Sequence, residues 1–365
     1  MAVWGTGNVG RPSVRAVVAD PDLELAAVIV SSPEKEGRDA AELCDLARPT
    51  GVTATRDAAA VLAGDLEGGP VDAVVYAATG DTRPDDCEAD LLACLRAGLD
   101  VVSTSLYPLI HPGSTPAALR ERFEAAAAEG GGRSIWVSGI DPGFLADLLA
   151  PVLVGTCVSV RRVDIRETFN YATYHAPHAV KELCGFGMPM DSPPPMLWPT
   201  VPTMVWGGVL RVLADTLGIE FDEIDEQIER RALERTIELP IGTFEEGTQG
   251  AFRLLVRGLV GGEPVLVIDH ITRIDDTCAL DWPVPPGGSM GCHQVIVEGD
   301  PDVTLTLEAG DSVDPANLGD RNVGGIALSA GRIVHAIPEV IAAPPGLVTA
   351  MDLPLVDGRG LVGHA

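Results

Sequence analysis

The chain has 365 residues, with 25 Lys or Arg against 53 Asp or Glu, so its formal net charge is −28. Such an acidic charge argues against binding to nucleic acid or to anionic lipid, because both kinds of binding need basic side chains on the protein surface. Hydrophobic residues make up 46% of the chain, enough for a full core. The seven scattered cysteines form no CxxC pair, which predicts neither a disulfide framework nor a metal site. No uncharged run predicts a membrane span, and we expect a cytoplasmic protein.

Residues 1–150 alternate short apolar runs with helical stretches, which is typical of a doubly wound parallel sheet. The predicted strands are Leu25–Val30, Val71–Ala77, Val101–Ser105 and Ile135–Ser138. The predicted helices are Val9–Ala19, Arg38–Ala47, Asp57–Ala63, Pro84–Ala97 and Thr115–Glu129. These residues therefore predict an α/β dinucleotide-binding domain of the Rossmann type.

Residues 151–320 have a different pattern, which predicts an α+β domain on a mostly antiparallel, open sheet. The predicted strands are Val158–Thr168, Thr236–Leu239, Gly250–Val260, Val265–Ile274, His293–Val297 and Val303–Glu308. Two helices are expected among them, Thr203–Leu217 and the acidic Asp222–Ala232. Residues 321–365 are expected to form a helix and a tail that return to the first domain. The open sheet face predicts a homodimer.

A glycine motif opens the chain and gives its strongest local pattern. It comprises Gly5, Thr6, Gly7, Asn8, Val9 and Gly10, between an apolar stub and a predicted helix. The first glycine allows a tight turn, the second allows a pyrophosphate to approach the backbone, and the third allows the helix to pack closely. At the first strand–helix junction, this spacing predicts dinucleotide binding.

The end of the second strand indicates which dinucleotide is bound. NAD sites usually place Asp or Glu there to bind the ribose 2′-hydroxyl. This chain has Ser31 and Ser32 instead, followed by Lys35 and Arg38, and these hydroxyls and cations suit a 2′-phosphate. We therefore predict NADP in preference to NAD, although solvated loop charges would give the same pattern and Glu34 lies close by.

Three further strand ends carry small or polar residues that could line a cofactor cleft, or could form ordinary turns. Their joint position at successive strand ends favours the cleft. The cofactor candidates are Ala78, Thr79, Gly80, Thr104, Asp141, Pro142 and Gly143. The substrate-pocket candidates are Leu106, Phe144 and Phe169.

Several segments together resemble the dihydrodipicolinate-reductase-like superfamily, in particular its 2,4-diaminopentanoate dehydrogenase and native amine dehydrogenase branch. They are the segment 3–10, the segment 32–43, the Asp-Pro-Gly-Phe sequence at 141–144, and the late segments 336–338 and 343–346. The resemblance implies a nicotinamide-binding domain, a substrate-binding α+β domain, and hydride transfer at a carbon that bears nitrogen.

Two departures from the resembled families bear on the chemistry. Dihydrodipicolinate reductases carry a His-His-x-x-Lys stretch, and the segment from His175 to Lys181 does not match it. The resembled amine dehydrogenases place a catalytic Glu after the strand corresponding to Val101–Ser105, whereas this chain has no carboxylate at Thr104, Ser105 and Leu106. Another group must take over that role, or the chemistry differs.

Candidate acid–base groups concentrate in residues 166–178, after the first strand of the second domain. Glu167 could replace the missing acid, but an ion pair with Arg166 or Arg162 on the surface is an alternative. The other catalytic candidates are Tyr107, Tyr171, Tyr174 and His178, each with a packing or structural role as its alternative.

The sequence thus predicts an NAD(P)-dependent oxidoreductase that acts on a small amine and its carbonyl counterpart. Two other functions stay open. An NADPH-dependent carbonyl reductase would follow from hydroxyl groups in place of the carboxylate, and a non-catalytic cofactor-binding protein would follow from its loss. Dependence on ammonia separates the amine-forming oxidoreductase from the carbonyl reductase.

Overall fold

The computed structural model describes residues 1–65 and 69–362. The chain divides into two compact units. The first comprises Met1–Ile140 and Ile326–Ala365, and the second comprises Asp141–Gly325. The predicted domain boundaries at 150 and 320 lie ten and five residues from these divisions.

The first unit is built on a parallel sheet of seven short strands. They are β1 (Ala2–Trp4), β2 (Ala27–Ile29), β3 (Ala54–Thr55), β4 (Ala73–Tyr76), β5 (Asp100–Ser103), β6 (Ser134–Val137) and, late in the chain, β15 (Gly346–Val348). Their order across the sheet is β15-β6-β5-β4-β1-β2-β3. The strands are almost wholly buried and apolar, as expected of a parallel sheet covered on both faces. The predicted Rossmann-type sheet is confirmed, and β15 is a strand that the sequence analysis missed.

Helices of the first unit connect and cover these strands. They are α1 (Gly10–Ala19), α2 (Ala40–Cys44), α3 (Ala58–Ala63), α4 (Pro84–Arg96), α5 (Ala117–Glu129) and α9 (Ile337–Ala342). Helix α8 (Arg321–Val334) contains the division between the units. Its side chains Ile333 and Val334 are fully buried in one core cluster with Val3, Val75 and Trp136.

The second unit is built on a six-stranded mixed sheet. Its strands are β7 (Ser159–Asn170), β8 (Glu223–Ala232), β11 (Gln249–Val260), β12 (Glu263–Arg273), β13 (Gly291–Asp300) and β14 (Val303–Leu307), in the order β14-β13-β7-β12-β11-β8. Only the β12–β7 pair is parallel among these strands, so the predicted, mostly antiparallel sheet is confirmed. A separate hairpin joins β9 (Ile237–Leu239) to β10 (Gly242–Phe244). Two helices complete this unit, α6 (Ala150–Val154) and α7 (Val201–Leu217).

The predicted helix Asp222–Ala232 is wrong, because this segment forms the edge strand β8. The strand pairs along its length with β11, and Asp225 on it binds Arg257 through two hydrogen bonds of 2.6 and 2.7 Å. Glu, Gln and Arg favour a helix in isolation, but cross-strand pairing outweighs that preference.

The helical segment Arg321–Ala342 has the length and mean hydropathy, 1.3, that could cross a membrane. A buried helix of a water-soluble core satisfies the same criterion. Ile333, Val334, Ile337 and Val340 on this segment are at most 1% exposed, since they pack in the core of the first unit.

Candidate functional site

The glycine loop between β1 and α1 has the geometry that its spacing predicts. Gly5 follows β1 with φ +109°, and its N–H donates to the carbonyl of Ile29 at 2.8 Å. A Cβ at Gly10 would lie 2.0 Å from the carbonyl oxygen of Gly5, so only glycine allows the helix to begin there. A Cβ at Gly7 would meet nothing within 4 Å, which leaves open space over the backbone. The loop thus fits the phosphates of a dinucleotide at the start of α1.

Lys35 lies against this loop. Its Nζ donates to both the carbonyl oxygen and the Oγ1 of Thr6, at 3.1 and 3.0 Å. Arg56, which the sequence analysis did not single out, donates through Nε to the carbonyl of Ser31 at 3.1 Å. Arg38 instead pairs with Glu42 at 3.2 Å on the exposed surface of α2.

The loops that follow β4 and β5 are tied to each other. Ser103 Oγ donates to the carbonyl of Tyr76 at 3.0 Å, and Ser105 Oγ donates to the carbonyl of Ala78 at 2.7 Å. A Cβ at Gly80 would lie 3.4 Å from Cβ of Ser105. The two loops therefore approach each other closely at Gly80, at the carboxyl edge of the sheet, where doubly wound folds bind ligands.

Tyr107 and Leu106 belong to the loop after β5. Leu106 has φ +70°, which turns the chain into a short 3-10 helix. The hydroxyl of Tyr107 donates to the carboxyl of Asp81, at the end of the loop after β4. Tyr107 therefore lies at the carboxyl edge of the first sheet, next to Thr104.

In the second unit, the strand register places three ionisable side chains in one row. Glu167 on β7 lies opposite His293 on β13 and opposite His270 on β12. Side chains alternate across a sheet, so Glu167 shares its face with the buried Val163 and Ile165 rather than with Arg166. We call Asp141, Glu167, His270 and His293 the acid–histidine cluster.

Direct contacts hold Glu167 in this cluster. Its Oε2 lies 3.0 Å from Nε2 of His293, its Oε1 lies 3.5 Å from Nδ1 of His270, and Tyr171 donates to Oε1 at 3.4 Å. The ion pair that we considered as an alternative is absent among the described residues: Arg166 binds Asp269 at 2.8 Å, and Arg162 binds Asp164 at 2.6 Å. Glu167 is thus a buried acid–base group.

The pKa directions in the cluster separate its two carboxyl groups. Burial alone would raise the pKa of Glu167, but His270, His293 and Tyr171 outweigh burial and lower it. The pKa of Asp141 is raised, chiefly by burial and partly opposed by His270. Burial would lower the pKa of His270, but Glu167 and Asp141 raise it. The pKa of Tyr171 is raised by burial and by Glu167, so its hydroxyl stays protonated.

His270 and His293 are the members of the cluster that the sequence analysis missed, and Asp141 was predicted as a cofactor residue. Asp141 lies on the segment Ile140–Leu149 and accepts a hydrogen bond from Trp206 Nε1 at 3.1 Å. Alternation along β12 and parallel pairing with β7 place His270 beside Glu167, but neither is visible until the strand partners are known.

Aromatic rings surround the cluster. Phe169 packs on His293 with ring centroids 4.9 Å apart, and Trp206 packs on His270 at the same distance. Tyr174 stacks on Tyr171 at 4.6 Å. Phe186 and Phe252, which the sequence analysis did not single out, continue this aromatic surface at 5.6 Å from each other.

Other predicted residues of the second unit lie outside the cluster. His178 is exposed and pairs through Nδ1 with Glu182 at 3.0 Å, within one turn of helix, so it is not placed with Glu167. Pro142 and Gly143 are buried, and Phe144 is half-buried beside them.

The glycine loop, the parallel sheet and the buried acid–base cluster define a nicotinamide-dependent oxidoreductase. The chain belongs to the 2,4-diaminopentanoate dehydrogenase C-terminal domain family, whose model matches residues 144–363. An amine dehydrogenase of Streptomyces virginiae is 48% identical over 363 residues, which cover 99% of this chain and 98% of that protein. The 2,4-diaminopentanoate dehydrogenase of Acetoanaerobium sticklandii is 25% identical over 265 residues, 70% of this chain and 66% of that protein. The predicted resemblance to this branch is confirmed.

The structure of an amine dehydrogenase from Mycobacterium smegmatis has the same fold. It superposes with a TM-score of 0.75 at 21% sequence identity, covering 98% of this chain and 97% of that one.

Proposed function

We propose that this protein interconverts a small ketone or aldehyde, with ammonia, and the corresponding primary amine. The observation that carries the proposal is the buried Glu167 of the second unit, which is held by two histidines and Tyr171. The catalytic Glu of the related enzymes is missing from the first unit, and Glu167 can replace it. A nicotinamide cofactor supplies or accepts the hydride when bound. The residues of this chain must therefore hold the nitrogen and move its proton.

Glu167 fits the role of the proton-handling group. Its lowered pKa keeps it ionised, so it can accept a proton from an amine nitrogen. His293 fixes Oε2, while Tyr171, whose pKa is raised, keeps its proton and donates to Oε1. The aromatic surface around the cluster suits an apolar substrate body.

The first test is NADPH oxidation with a panel of small ketones and aldehydes, with and without ammonium. We expect consumption that requires ammonium, with the primary amine identified by mass spectrometry. Consumption without ammonium would make the protein a carbonyl reductase and would refute the proposal. No consumption with any substrate, in protein shown to bind NADPH, would also count against it.

Variants of the cluster test the assignment. Glu167→Gln should lower kcat by at least about 100-fold, the usual contribution of a general acid–base group, with cofactor affinity within twofold. Tyr171→Phe should lower kcat less, because it removes only one hydrogen bond to Glu167. Glu298→Gln, an exposed change on β13, is the matched control and should leave kcat unchanged. Unchanged kinetics in both cluster variants would place the proton-handling group elsewhere.

We further propose that NADP is preferred over NAD. The support is that Lys35 contacts the glycine loop, Arg56 contacts Ser31, and strand β2 ends without a carboxylate. Glu34, which accepts a hydrogen bond from Ser32, is the carboxylate that would serve NAD instead. Fluorescence titration should give tighter binding of NADPH than of NADH, with the difference reduced in Lys35→Gln. Equal or reversed affinities in the unmodified protein would refute the preference.

We also propose that the protein is a homodimer in the cytoplasm. The face of the six-stranded sheet opposite Glu167 carries ion pairs such as Arg253–Asp269, with Leu255 and Leu259 half-buried among them. All seven cysteines are free thiols, which suits a reducing compartment. Light scattering should give a dimer that Leu255→Arg dissociates, and a monomer in the unmodified protein would refute it.

A further inference from the structure

Asp141 and His270 are buried ionisable groups of the acid–histidine cluster that the role proposed for Glu167 leaves unused. They are hydrogen-bonded to each other. His270 Nδ1 also lies 3.5 Å from Glu167 Oε1. One polar atom from each of the three residues lies within 4.8 Å of the other two. A single imidazole therefore contacts both carboxyl groups.

A ring of hydrogen bonds fixes the orientation of this imidazole. Nε2 of His270 lies 3.0 Å from Thr272 Oγ1, and the Thr272 hydroxyl donates to Tyr171. Tyr171 in turn donates to Glu167 Oε1 at 3.4 Å. Because the hydroxyl proton of Thr272 is used toward Tyr171, Thr272 accepts from Nε2–H of His270. Nδ1 is therefore the atom that faces the carboxyl groups, and it can take a proton from one and give it to the other.

The three groups differ in how firmly they hold a proton. The pKa of Glu167 is lowered, whereas the pKa values of Asp141 and His270 are both raised. The other ionisable groups that face them are Tyr171, His293 and, from the reverse face of β12, Asp269. The Asp141–His270 pair therefore shares one proton while Glu167 stays ionised. Neighbouring groups with opposite shifts of this kind divide the roles of acid and base between them.

We propose that His270 passes protons from Glu167 to Asp141 during amine formation. This inference rests on the proposed function and gives two further residues of the same site a part in it. Glu167 takes a proton from the substrate nitrogen, His270 Nδ1 receives it from Glu167, and Asp141 gives a proton to the substrate oxygen. The contact of 3.5 Å between Glu167 and His270 suits this transfer, since contacts between acid–base groups commonly tighten when substrate binds.

The proton count of the reaction requires such a path. Ammonium and a ketone or aldehyde form the C=N bond of an iminium ion and break the C=O bond, and the oxygen leaves as water. Two protons move from nitrogen to oxygen in this condensation, and none is gained or lost overall. Glu167 is only 7% exposed, so it exchanges protons poorly with water. Transfer through His270 to Asp141 returns all three groups to their starting state after each proton.

The pH dependence of kcat tests this path. At saturating ammonium and carbonyl substrate, kcat should fall at high pH as the pair loses its shared proton. Asp141→Asn keeps the shape and hydrogen bonds of the side chain but cannot pass a proton on, so kcat should fall about 100-fold. The high-pH fall should move to lower pH by at least about one unit, because His270 loses the charge of Asp141.

Two measurements separate this result from a structural effect. In Asp141→Asn the NADPH affinity and the KM for the carbonyl substrate should stay within twofold of the unmodified values. Glu298→Gln, an exposed change on β13, is the matched control and should leave kcat and its pH profile unchanged. An unmoved high-pH fall in Asp141→Asn, or a loss of kcat that follows weakened cofactor binding, would refute the proposal.

A double variant distinguishes one shared path from two independent roles. His270→Gln should lower kcat at least as much as Asp141→Asn does. The double variant should be no slower than His270→Gln alone, because residues that act as a unit give losses that do not multiply. Losses that multiply in the double variant would overturn the assignment.

Trp206 reports the shared proton without turnover. Its Nε1 donates to Asp141 Oδ1 at 3.1 Å, and its ring packs on His270 with centroids 4.9 Å apart. The emission of the full-length protein should therefore change in one step as rising pH removes the shared proton, and the step should move to lower pH in Asp141→Asn. Trp206→Phe should abolish the step, and Trp198→Phe, a change at a half-exposed ring, should retain it. An unmoved step in Asp141→Asn would refute the shared proton.

The two proposals can fail separately. Ammonium-dependent amine formation whose pH profile is unmoved in Asp141→Asn would refute the proton path and leave the proposed function standing. An emission step that moves in Asp141→Asn, in protein that forms no amine from any carbonyl tested, would support the shared proton and refute the proposed function.

Discussion

Gly10 gives the sharpest test of the dinucleotide site, because its constraint is steric and local. Helix α1 begins at this residue, and a methyl group there would lie 2.0 Å from the carbonyl oxygen of Gly5 and 2.6 Å from its carbonyl carbon. Both atoms are backbone, so no side-chain rotation relieves the contact. Gly10→Ala must therefore shift the start of the helix away from β1.

Overpacking of this kind costs about 1–3 kcal/mol, and a clash with backbone belongs at the upper end. For a unit of this size, 1 kcal/mol shifts Tm by about 2–4 °C, so we expect Gly10→Ala to lower Tm by about 6–12 °C. Displacing the helix start also moves the N–H groups that would bind phosphate, and NADPH affinity should fall with it.

Gly7→Ala is the matched control for stability. The added methyl would meet no atom within 4 Å, and Gly7 does not have the positive φ that alanine disfavours. Its Tm should stay within about 2 °C, since surface changes usually cost less than about 0.5 kcal/mol. The methyl would still occupy the space above the backbone, so NADPH binding should weaken at least tenfold, about 1.4 kcal/mol. Thermal unfolding and fluorescence titration measure both quantities; unchanged stability in Gly10→Ala, or unchanged affinity in Gly7→Ala, would refute this reasoning.

Three further predictions concern the second unit. The Tm of Asp141→Asn should rise relative to that of the unmodified protein as pH increases above 3.8, the ordinary pKa of an aspartate. The raised pKa of the Asp141 carboxyl contributes stability at low pH, and this contribution is lost when the carboxyl ionises. Parallel Tm–pH curves for the two proteins would contradict this. Arg230 donates to the carbonyl of Pro189 at 3.2 Å and to two neighbouring carbonyls. Arg230→Met should therefore lower the free energy of unfolding by about 1–2 kcal/mol and speed proteolysis at 185–198. An unchanged cleavage rate would count against this prediction. Gly291→Ala would place a methyl 2.3 Å from the Phe169 ring, and we expect a loss of about 1–3 kcal/mol in chemical denaturation.

The sequence predicted the first unit well because its determinants are local. Short apolar strands, the glycine spacing and the alternation with helices each lie within about 20 residues, and together they specify a doubly wound parallel sheet. The strand β15 was missed because only three residues, Gly346–Val348, pair with β6, and this pairing joins positions about 210 residues apart. A short run of that kind has no periodicity to recognise.

The second unit shows what local patterns leave open. The segment 222–232 has a helical composition but forms a strand, because it pairs with β11. That pairing depends on another segment of the chain and is not visible in the composition of 222–232. Glu167 had two interpretations, a surface ion pair or a buried acid, and its neighbours Arg162 and Arg166 favoured the first by proximity alone.

Strand parity decides between these two interpretations of Glu167. Residues of odd number from 163 to 169 share one face of β7, the face that carries the apolar Val163 and Ile165, so Glu167 points away from Arg166 in spite of their adjacency. Parity could have been read from the apolar Val163 and Ile165, and it predicts burial of the carboxylate. It could not have predicted the compensating groups, since His270 and His293 reach Glu167 only through pairings with two other strands, more than 100 residues away. Burying a carboxylate without such partners would cost free energy, so the burial of Glu167 depends on its pairing with the two histidines.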